Sequence, residues 1–208
     1  VDVAAVDDQA TGADLGRGVH VLLQQLAAGD PDPVVGRRDV DDVGRVHVEV
    51  DARRLGRGAG HGADLGAGFG YLSAEVLARC PKVTALDVYE AEARALNLAR
   101  RNLQGSAHPA QLQYHWRDVT AGLVAQYDFI VSNPPFHTPS RADRPDIGQR
   151  FIAVAAQALR PGGQLLLVAN RHLPYEQVLN DSFGQVRVAA ERDGFKLIAA
   201  VRGRGARA

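Results

Sequence analysis

The sequence predicts an α/β fold arranged around one glycine-rich turn. Residues 64–73 read D-L-G-A-G-F-G-Y-L-S, so a short buried strand ends at Leu65 and a helix begins near Tyr71. The three glycines between them are Gly66, Gly68 and Gly70. Glycine accepts positive φ and lets a ligand lie against the backbone. A strand, a glycine turn and a helix N-terminus together form the corner at which open α/β sheets bind nucleotide cofactors.

The turn does not match the nicotinamide fingerprint. G-x-G-x-x-G would need a third glycine at position 71, where Tyr71 stands instead. The pattern D-x-G-x-G-x-G, which begins at Asp64, resembles motif I of the class I S-adenosylmethionine methyltransferases. In that motif the glycines admit the cofactor. The structural alternative is a tight strand-to-helix turn that binds nothing.

Length and composition favour one domain in a reducing compartment. The chain has 208 residues, with 24 basic and 24 acidic side chains, so no global cationic signal for nucleic acid exists. Residues 1–60 carry a net charge of −4 and residues 61–208 carry +4, a mild lean of the second part toward an anionic partner. The single cysteine, Cys80, excludes an internal disulfide. No apolar run has the length of a membrane span and no signal peptide opens the sequence, which favours the cytoplasm.

Residues 1–60 differ in composition from the rest. They contain no Ser, Asn, Lys, Ile, Cys or Met and no Phe, Tyr or Trp, while Val, Asp, Ala, Gly and Arg fill most of the segment. A G+C-rich gene read in a wrong frame gives such a composition. The segment is therefore interpreted as a frameshifted or antisense translation, or as a genuine but biased and disordered region, without cooperative structure of its own. Sequencing the DNA upstream of codon 61 would distinguish the two.

Two carboxylates are expected beside the glycine turn. Lys82 to Leu86 reads as a strand that ends in Asp87, followed by a helix from about residue 90 to residue 102. An acidic residue about twenty positions past the glycines, at the tip of the second strand, binds the ribose hydroxyls in such sites. Gln111 to Trp116 alternates like a third strand, which ends at Asp118. Either aspartate could instead be an ordinary solvated carboxylate at a strand end.

A fourth strand, from Asp128 to Ser132, runs into N-P-P-F at residues 133–136. Two consecutive prolines donate no backbone hydrogen bond and hold the chain extended. This rigidity fixes the Asn133 amide and the Pro134 carbonyl as acceptors at the C-terminal edge of the sheet, where open α/β folds bind ligands. The structural alternative is a stiff turn in which Phe136 fills the core.

The remaining sequence continues the alternation of helices and strands. A polar loop at residues 137–150 carries Arg141, Arg144 and Arg150, which could contact phosphates. A helix at 151–159 ends at R-P-G-G. After it the pattern predicts a strand at 164–169, a helix at 173–183, and a closing hairpin of strands at 186–190 and 195–201. The residues from 202 to 208 read as a basic, frayed tail.

Four motifs together resemble one family. They are V-S-N-P-P-F-H at 131–137, L-R-P-G-G at 159–163, V-A-N-R-H-L-P-Y at 168–175 and D-G-F-K-L-I at 193–198. The sequence is similar, over about residues 62–201, to the C-terminal half of the ribosomal RNA small-subunit methyltransferase C family. The resemblance implies a Rossmann-like class I methyltransferase domain at residues 61–201. Its sheet would have seven strands, mostly parallel, with an antiparallel last strand.

The resemblance also implies an activity and its residues. Members transfer the methyl group of S-adenosyl-L-methionine to the exocyclic N2 of a guanine in ribosomal RNA, without a metal, so ribosomal RNA or the small ribosomal subunit is the expected partner. The implied catalytic residues are Asn133, Pro134 and Phe136. The implied cofactor contacts are Asp64, Gly66, Gly68, Gly70, Asp87, Asp118 and Asn133. The implied RNA contacts are Pro135, Phe136, His137, Arg141 and Arg144.

The sequence departs from the family at two places. Residues 1–60 hold nothing like the F-S-x-x-x-L-D-x-G-S segment that precedes the family's first strand, and Thr138-Pro139-Ser140 replaces a glycine that often follows N-P-P-F-H. Two other functions stay open at this point. N-P-P-F also serves methylation of a protein glutamine or of adenine N6, and a domain without catalysis could bind RNA.

Overall fold

The chain folds as alternating strands and helices around one sheet. The computed structural model describes residues 60–135, 144–192 and 194–203, and the expectations for residues 1–59 and for the end of the tail lie outside them. In chain order the elements are β1 (Gly60–Leu65), α1 (Tyr71–Arg79), β2 (Val83–Glu90), α2 (Ala93–Leu103), β3 (Gln111–Trp116), a short 3₁₀ helix (Val119–Ala121), β4 (Tyr127–Ser132), α3 (Pro145–Ala158), β5 (Leu159–Asn170), α4 (Glu176–Ser182), β6 (Gln185–Arg192) and β7 (Phe195–Val201).

The sheet has seven strands in the order β3-β2-β1-β4-β5-β7-β6. The β1 strand pairs in parallel with both β2 and β4, and the parallel arrangement continues to β3 and β5. Only β7, the last strand of the described chain, runs antiparallel to its two neighbours. The fold class predicted from the sequence is therefore confirmed.

Two cores cover the two faces of the sheet. On one face, α1 and α2 pack apolar side chains such as Val76 and Leu96 against Leu86 and Val88 of β2. On the other face, α3 and α4 bury a larger cluster around Phe151, Ile152, Tyr175 and Leu179. Parallel sheets are stable when both faces are covered in this way. Beyond the C-terminal ends of the central strands, Gly66 is half-buried and Asn133 is exposed.

Several element boundaries differ from the prediction. The β2 strand continues to Glu90, three residues past its expected end. The α3 helix begins at Pro145, a favourable first residue because proline has no N–H to leave unpaired, so part of the expected polar loop is helical. The β5 strand begins at Leu159, and R-P-G-G lies inside it. A register shift against β4 and a positive φ of 82° at Gly162 accommodate these residues.

The C-terminal motifs contact one another. Lys196 of β7 is buried, and its Nζ donates a hydrogen bond of 2.8 Å to the Leu173 carbonyl and pairs with the Glu176 carboxylate. The Arg171 N–H donates to the Gly194 carbonyl at 2.7 Å. These contacts hold the loop between β5 and α4 against β7. The motifs that carry the family resemblance here are thus structural.

Gly148 of α3 provides a test of the core. A Cβ at this position would lie 1.9 Å from the buried hydroxyl oxygen of Tyr175. We expect Gly148→Ala to lower the free energy of unfolding by about 1 to 3 kcal/mol because the overpacking outweighs the gain in helix propensity. Gly105→Ala is the control, since its Cβ would meet no atom within 4 Å. Urea denaturation measures both, and equal stabilities of the two variants would contradict this packing.

No helix in the three described ranges is long and apolar enough to cross a membrane.

Candidate active site

The ends of the central strands bring the predicted site residues together. Leu65, the last residue of β1, pairs with Tyr89 of β2 and with Ser132 of β4. The Ser132 hydroxyl donates a hydrogen bond of 2.7 Å to the Leu65 carbonyl and ties the two strand ends together. The residues that follow, Gly66 and Asn133, therefore leave the sheet side by side at its C-terminal edge.

The glycine turn is open at one position. All three glycines have positive φ, of 71° at Gly66, 57° at Gly68 and 91° at Gly70. A Cβ at Gly70 would lie 3.2 Å from Ala99, so this glycine lets α2 pack closely, whereas a Cβ at Gly68 would meet nothing within 4 Å. The turn therefore faces free space at Gly68. A ligand can approach the backbone there.

Glu90 occupies the position expected for Asp87. Glu90 ends β2, and its Oε2 accepts a hydrogen bond of 2.8 Å from the Gly68 N–H. Its Oε1 accepts from the Glu92 N–H at 2.9 Å. A carboxylate oxygen has the capacity to accept two hydrogen bonds, so both Glu90 oxygens can still accept from a ligand hydroxyl. The strand-tip carboxylate beside the glycine turn is Glu90.

Asp87 lies inside β2, and its predicted place at the strand tip is wrong. The residue is only 4% exposed, and its Oδ2 accepts a hydrogen bond of 2.7 Å from the Tyr127 hydroxyl. Its Oδ1 lies 3.2 Å from His61 Nε2 and 3.6 Å from His115 Nε2. The Tyr127 hydroxyl also shares a hydrogen bond of 2.7 Å with Tyr89. Burial, together with these hydrogen bonds, raises the pKa of Tyr127, so it stays protonated and donates.

Asp64 is a buried carboxyl behind the glycine turn. Its Oδ2 accepts a hydrogen bond of 2.7 Å from the Ser73 hydroxyl of α1, and its Oδ1 has no partner among the described residues. Burial raises the pKa of Asp64 to about 7, although the Ser73 hydrogen bond opposes the shift. A group that deprotonates near neutral pH at this place links the stability of the turn to pH.

Asp118 follows β3, as predicted, and caps the 3₁₀ helix. Its Oδ1 accepts hydrogen bonds of 2.8 Å from both the N–H and the hydroxyl of Thr120. The side chain is exposed at the same edge of the sheet as Glu90. Asp118 can contact a ligand from this position. The two hydrogen bonds from Thr120 fix the orientation of its side chain.

The N-P-P-F segment is described as far as Pro135. Asn133 is exposed and Pro134 is buried, which anchors the chain next to the amide. Arg144 places its guanidinium on the Asp146 carboxylate, at 2.8 and 2.7 Å, so it is paired within its own helix start. The predicted contacts Phe136, His137 and Arg141 lie outside the described residues.

Sequence reasoning missed Glu90 and the polar cluster around Asp87. The run V-T-A-L-D-V-Y from Val83 consists of strand-forming residues apart from Ala85 and Asp87, and continuing the strand to its end would have placed Glu90 at the tip. No signal in the sequence joins His61 and His115 to the same carboxylate, because they belong to different strands. Within the described ranges, no group of three or more His, Cys, Asp or Glu residues is arranged to hold a metal ion.

The sequence matches the family model described as the methyltransferase small domain over residues 32–199. The chain belongs to the methyltransferase small domain family. The geometry agrees with this assignment, because the glycine turn, the strand-tip carboxylate and N-P-P meet at one edge of the sheet. The match begins within the compositionally distinct residues 1–60.

Several curated relatives of this methyltransferase small domain share one name. The ribosomal RNA small subunit methyltransferase C of Chromohalobacter salexigens is 38% identical over 173 residues, which cover 82% of this chain and 50% of the relative. The protein of the same name from Pseudomonas aeruginosa is 37% identical over 147 residues, or 69% of this chain and 42% of the relative. The resemblance read from the motifs is confirmed. The chain spans about half the length of these relatives, or less.

Solved structures share the fold of this methyltransferase small domain. The 16S rRNA N2 G1207 methyltransferase (RsmC) of T. thermophilus, solved in complex with AdoMet and guanosine, has a TM-score of 0.64 and 29% identity. The similarity covers 81% of this chain and 44% of that one. An O-methyltransferase from Thermotoga maritima has a TM-score of 0.60 at 15% identity, covering 88% of this chain and 71% of that one, which supports the fold alone.

Proposed function

We propose that this chain transfers the methyl group of S-adenosylmethionine to the exocyclic N2 of a guanine in the RNA of the small ribosomal subunit. The observation that carries the proposal is the meeting of three groups at one sheet edge: the open turn at Gly68, the Glu90 carboxylate and the N-P-P segment that begins at Asn133. The relatives named for this reaction and the neighbour solved with AdoMet and guanosine support the choice of cofactor and substrate.

The residues at this edge fit S-adenosylmethionine. Gly68 leaves free space where a side chain would stand, and in this proposal the carboxylate oxygens of Glu90 accept the two ribose hydroxyls. Asp118, which follows the strand two positions from β1, accepts from the adenine amino group in the same proposal. When bound, the cofactor supplies an activated methyl group on a sulfonium that is a good leaving group.

The chain's own contribution is to orient the substrate amine. The N2 amine of guanine is a poor nucleophile because its lone pair is delocalised into the ring. The Asn133 side-chain oxygen and the Pro134 carbonyl accept its two hydrogens, which favours a pyramidal nitrogen with its lone pair directed away from both acceptors. Holding the amine in one orientation lowers the activation free energy, because the entropy of aligning the two reactants is lost on binding and not in the transfer step. No general base is needed for the transfer itself.

Methyl transfer from labelled S-adenosylmethionine tests the function. We expect the full chain to label the RNA of small ribosomal subunits, and nuclease digestion to release N2-methylguanosine. Label in protein alone would replace this proposal by glutamine methylation, and label on adenine would replace it by N6 methylation. If the chain binds S-adenosylmethionine but labels neither RNA nor protein, catalysis is excluded and the remaining alternative is a domain that binds RNA.

Glu90→Gln should weaken S-adenosylmethionine binding by about 1.5 to 3 kcal/mol because charged hydrogen bonds to the ribose hydroxyls are lost. Calorimetry measures the affinity directly. Asp87→Asn is the matched control, since Asp87 lies three residues away in the same strand and its carboxylate faces Tyr127. If Asp87→Asn loses more affinity for S-adenosylmethionine than Glu90→Gln does, the ribose contact belongs to Asp87 and not to Glu90.

A further inference from the structure

One set of exposed side chains on α2 and at the end of β3 is basic and aromatic. It consists of Arg94, Leu98 and Arg101 on α2 and of Trp116 and Arg117 at the end of β3, all of them exposed, and is called the α2–β3 edge below. Neither the glycine turn nor N-P-P includes any of these residues. The site described above therefore does not include them.

Trp116, the only tryptophan in the sequence, is 71% exposed. Its indole Nε1 donates a hydrogen bond of 2.9 Å to the Ala91 carbonyl, which fixes the ring in place. A rigid indole with a satisfied N–H and an exposed ring is suited to stacking on a planar partner. Because most of its surface stays in water, this indole adds little apolar burial to the stability of the fold.

The α2 helix carries a stripe of exposed basic and apolar residues. Arg94, Leu98 and Arg101 are spaced at four and three residues, so they share one face of α2. The opposite face is buried through Leu96 and Ala99. Leu98 is 46% exposed, and along the helix it comes between Arg94 and Arg101.

The stretch from α2 to the end of β3 is positively charged. Residues 93–117 contain four arginines and no acidic residue, and the exposed carboxylates Glu92 and Asp118 border the stretch on its two sides. One of the four, Arg100, lies over the Tyr114 ring at 5.1 Å from its centroid, two residues before Trp116 on the same face of β3. Arginine interleaved with aromatic rings is the composition of surfaces that bind single-stranded nucleic acid.

We propose that the α2–β3 edge binds the single-stranded RNA that flanks the target guanine. One base stacks on Trp116, and phosphates pair with Arg94, Arg101 and Arg117. The proposal rests on the proposed function for the identity of the RNA. It adds a docking surface outside the reaction centre, which holds the strand while the target base enters the site.

The distance to the reaction centre fits this role. Trp116 ends β3 and Asn133 follows β4, and these two strands are separated by β2 and β1 in the sheet. Three strand spacings amount to about 14 Å. A single strand that crosses the C-terminal edge of the sheet can therefore touch Trp116 while a neighbouring nucleotide reaches Asn133.

Fluorescence anisotropy with a labelled 20-nucleotide single-stranded RNA tests the proposal. Trp116→Ala should weaken RNA binding about 10-fold to 100-fold, as expected for the loss of one stacked base, while Trp116→Phe should retain most of the affinity. The double variant Arg94→Gln, Arg101→Gln should lower the slope of log affinity against log salt by about 1.4, because two phosphate contacts are lost. Arg187→Gln, an exposed arginine of β6 at the other edge of the sheet, is the control.

Calorimetry of S-adenosylmethionine binding separates the alternatives. The proposal expects unchanged cofactor affinity in every variant, with circular dichroism confirming that each is folded. Unchanged RNA affinity in Trp116→Ala would overturn it. A parallel loss of cofactor affinity would overturn it too, because Trp116 would then belong to the adenine pocket. If a variant loses affinity for whole subunits but keeps its affinity for naked RNA, the α2–β3 edge binds a protein of the subunit, and the proposal is overturned. Failure of the proposed function appears separately, as absent methyl transfer by the unsubstituted chain.

Discussion

Asn133→Ala should lower the rate of methyl transfer to small ribosomal subunits by about 10²-fold to 10³-fold, the effect of losing one preorganised polar group in a reaction centre. The side-chain oxygen is the acceptor that orients the substrate amine, and alanine offers none. Affinity for S-adenosylmethionine should stay nearly unchanged, because the Gly68 turn and Glu90 remain. The loss should therefore fall on turnover, measured under saturating cofactor.

Asn170→Ala is a matched control for this experiment. Asn170 ends β5, the strand next to β4, so it is an asparagine at the same edge of the sheet without the N-P-P context. We expect it to keep most of the activity. Turnover close to that of the unsubstituted chain in Asn133→Ala would remove Asn133 from the mechanism, whatever the control shows.

Asp64→Asn should remove a large pH dependence of stability. The pKa of Asp64 is raised from 3.8 to about 7 in the folded chain, chiefly by burial. Between these values the folded chain keeps a proton that the unfolded chain releases, so stability falls as pH rises, by about 1.4 kcal/mol per unit. From pH 5 to pH 7 the unsubstituted chain should lose about 2.5 kcal/mol relative to Asp64→Asn, and little more above pH 8.

Urea denaturation at half-unit pH steps measures this difference. Ser73→Ala sharpens the test, because the Ser73 hydroxyl hydrogen bond lowers the pKa of Asp64 and its removal should extend the fall in stability to higher pH. A difference between the unsubstituted chain and Asp64→Asn that is independent of pH would mean that the Asp64 carboxyl is solvated in the native protein.

Much of this architecture could be predicted because its signals are local. The α1 helix begins at the predicted residue and the β3 strand has the bounds that its alternation indicates, and the positive φ values at Gly66 and Gly68 are what three alternate glycines allow. N-P-P lies at the strand end because prolines cannot continue a ladder. Each of these inferences uses residues that are adjacent in sequence.

The predictions that were wrong depend on contacts between residues of different strands or helices. Asp87 is expected at a strand tip from its spacing past the glycines, but it lies buried inside β2, where Tyr127, from a strand two positions away in the sheet, donates to it. Its position at the tip is taken by Glu90. The start of α3 was missed because the segment is polar, whereas Pro145 begins a helix whose buried face lies further along, at Phe151 and Ile152. Burial partners of this kind become visible only once the sheet order is known.

The central place of β1 sets an order of events during synthesis. Its partner β4 follows 67 residues later along the chain, as the contact between His61 and Asp128 shows, whereas β6 and β7 form a hairpin. A nascent chain therefore carries β1 with one unpaired edge until β4 has left the ribosome, and an unpaired strand edge is a template for pairing with other chains. Distant pairings also close slowly. The strand that organises the reaction centre is thus the one that needs protection longest while the protein is being made.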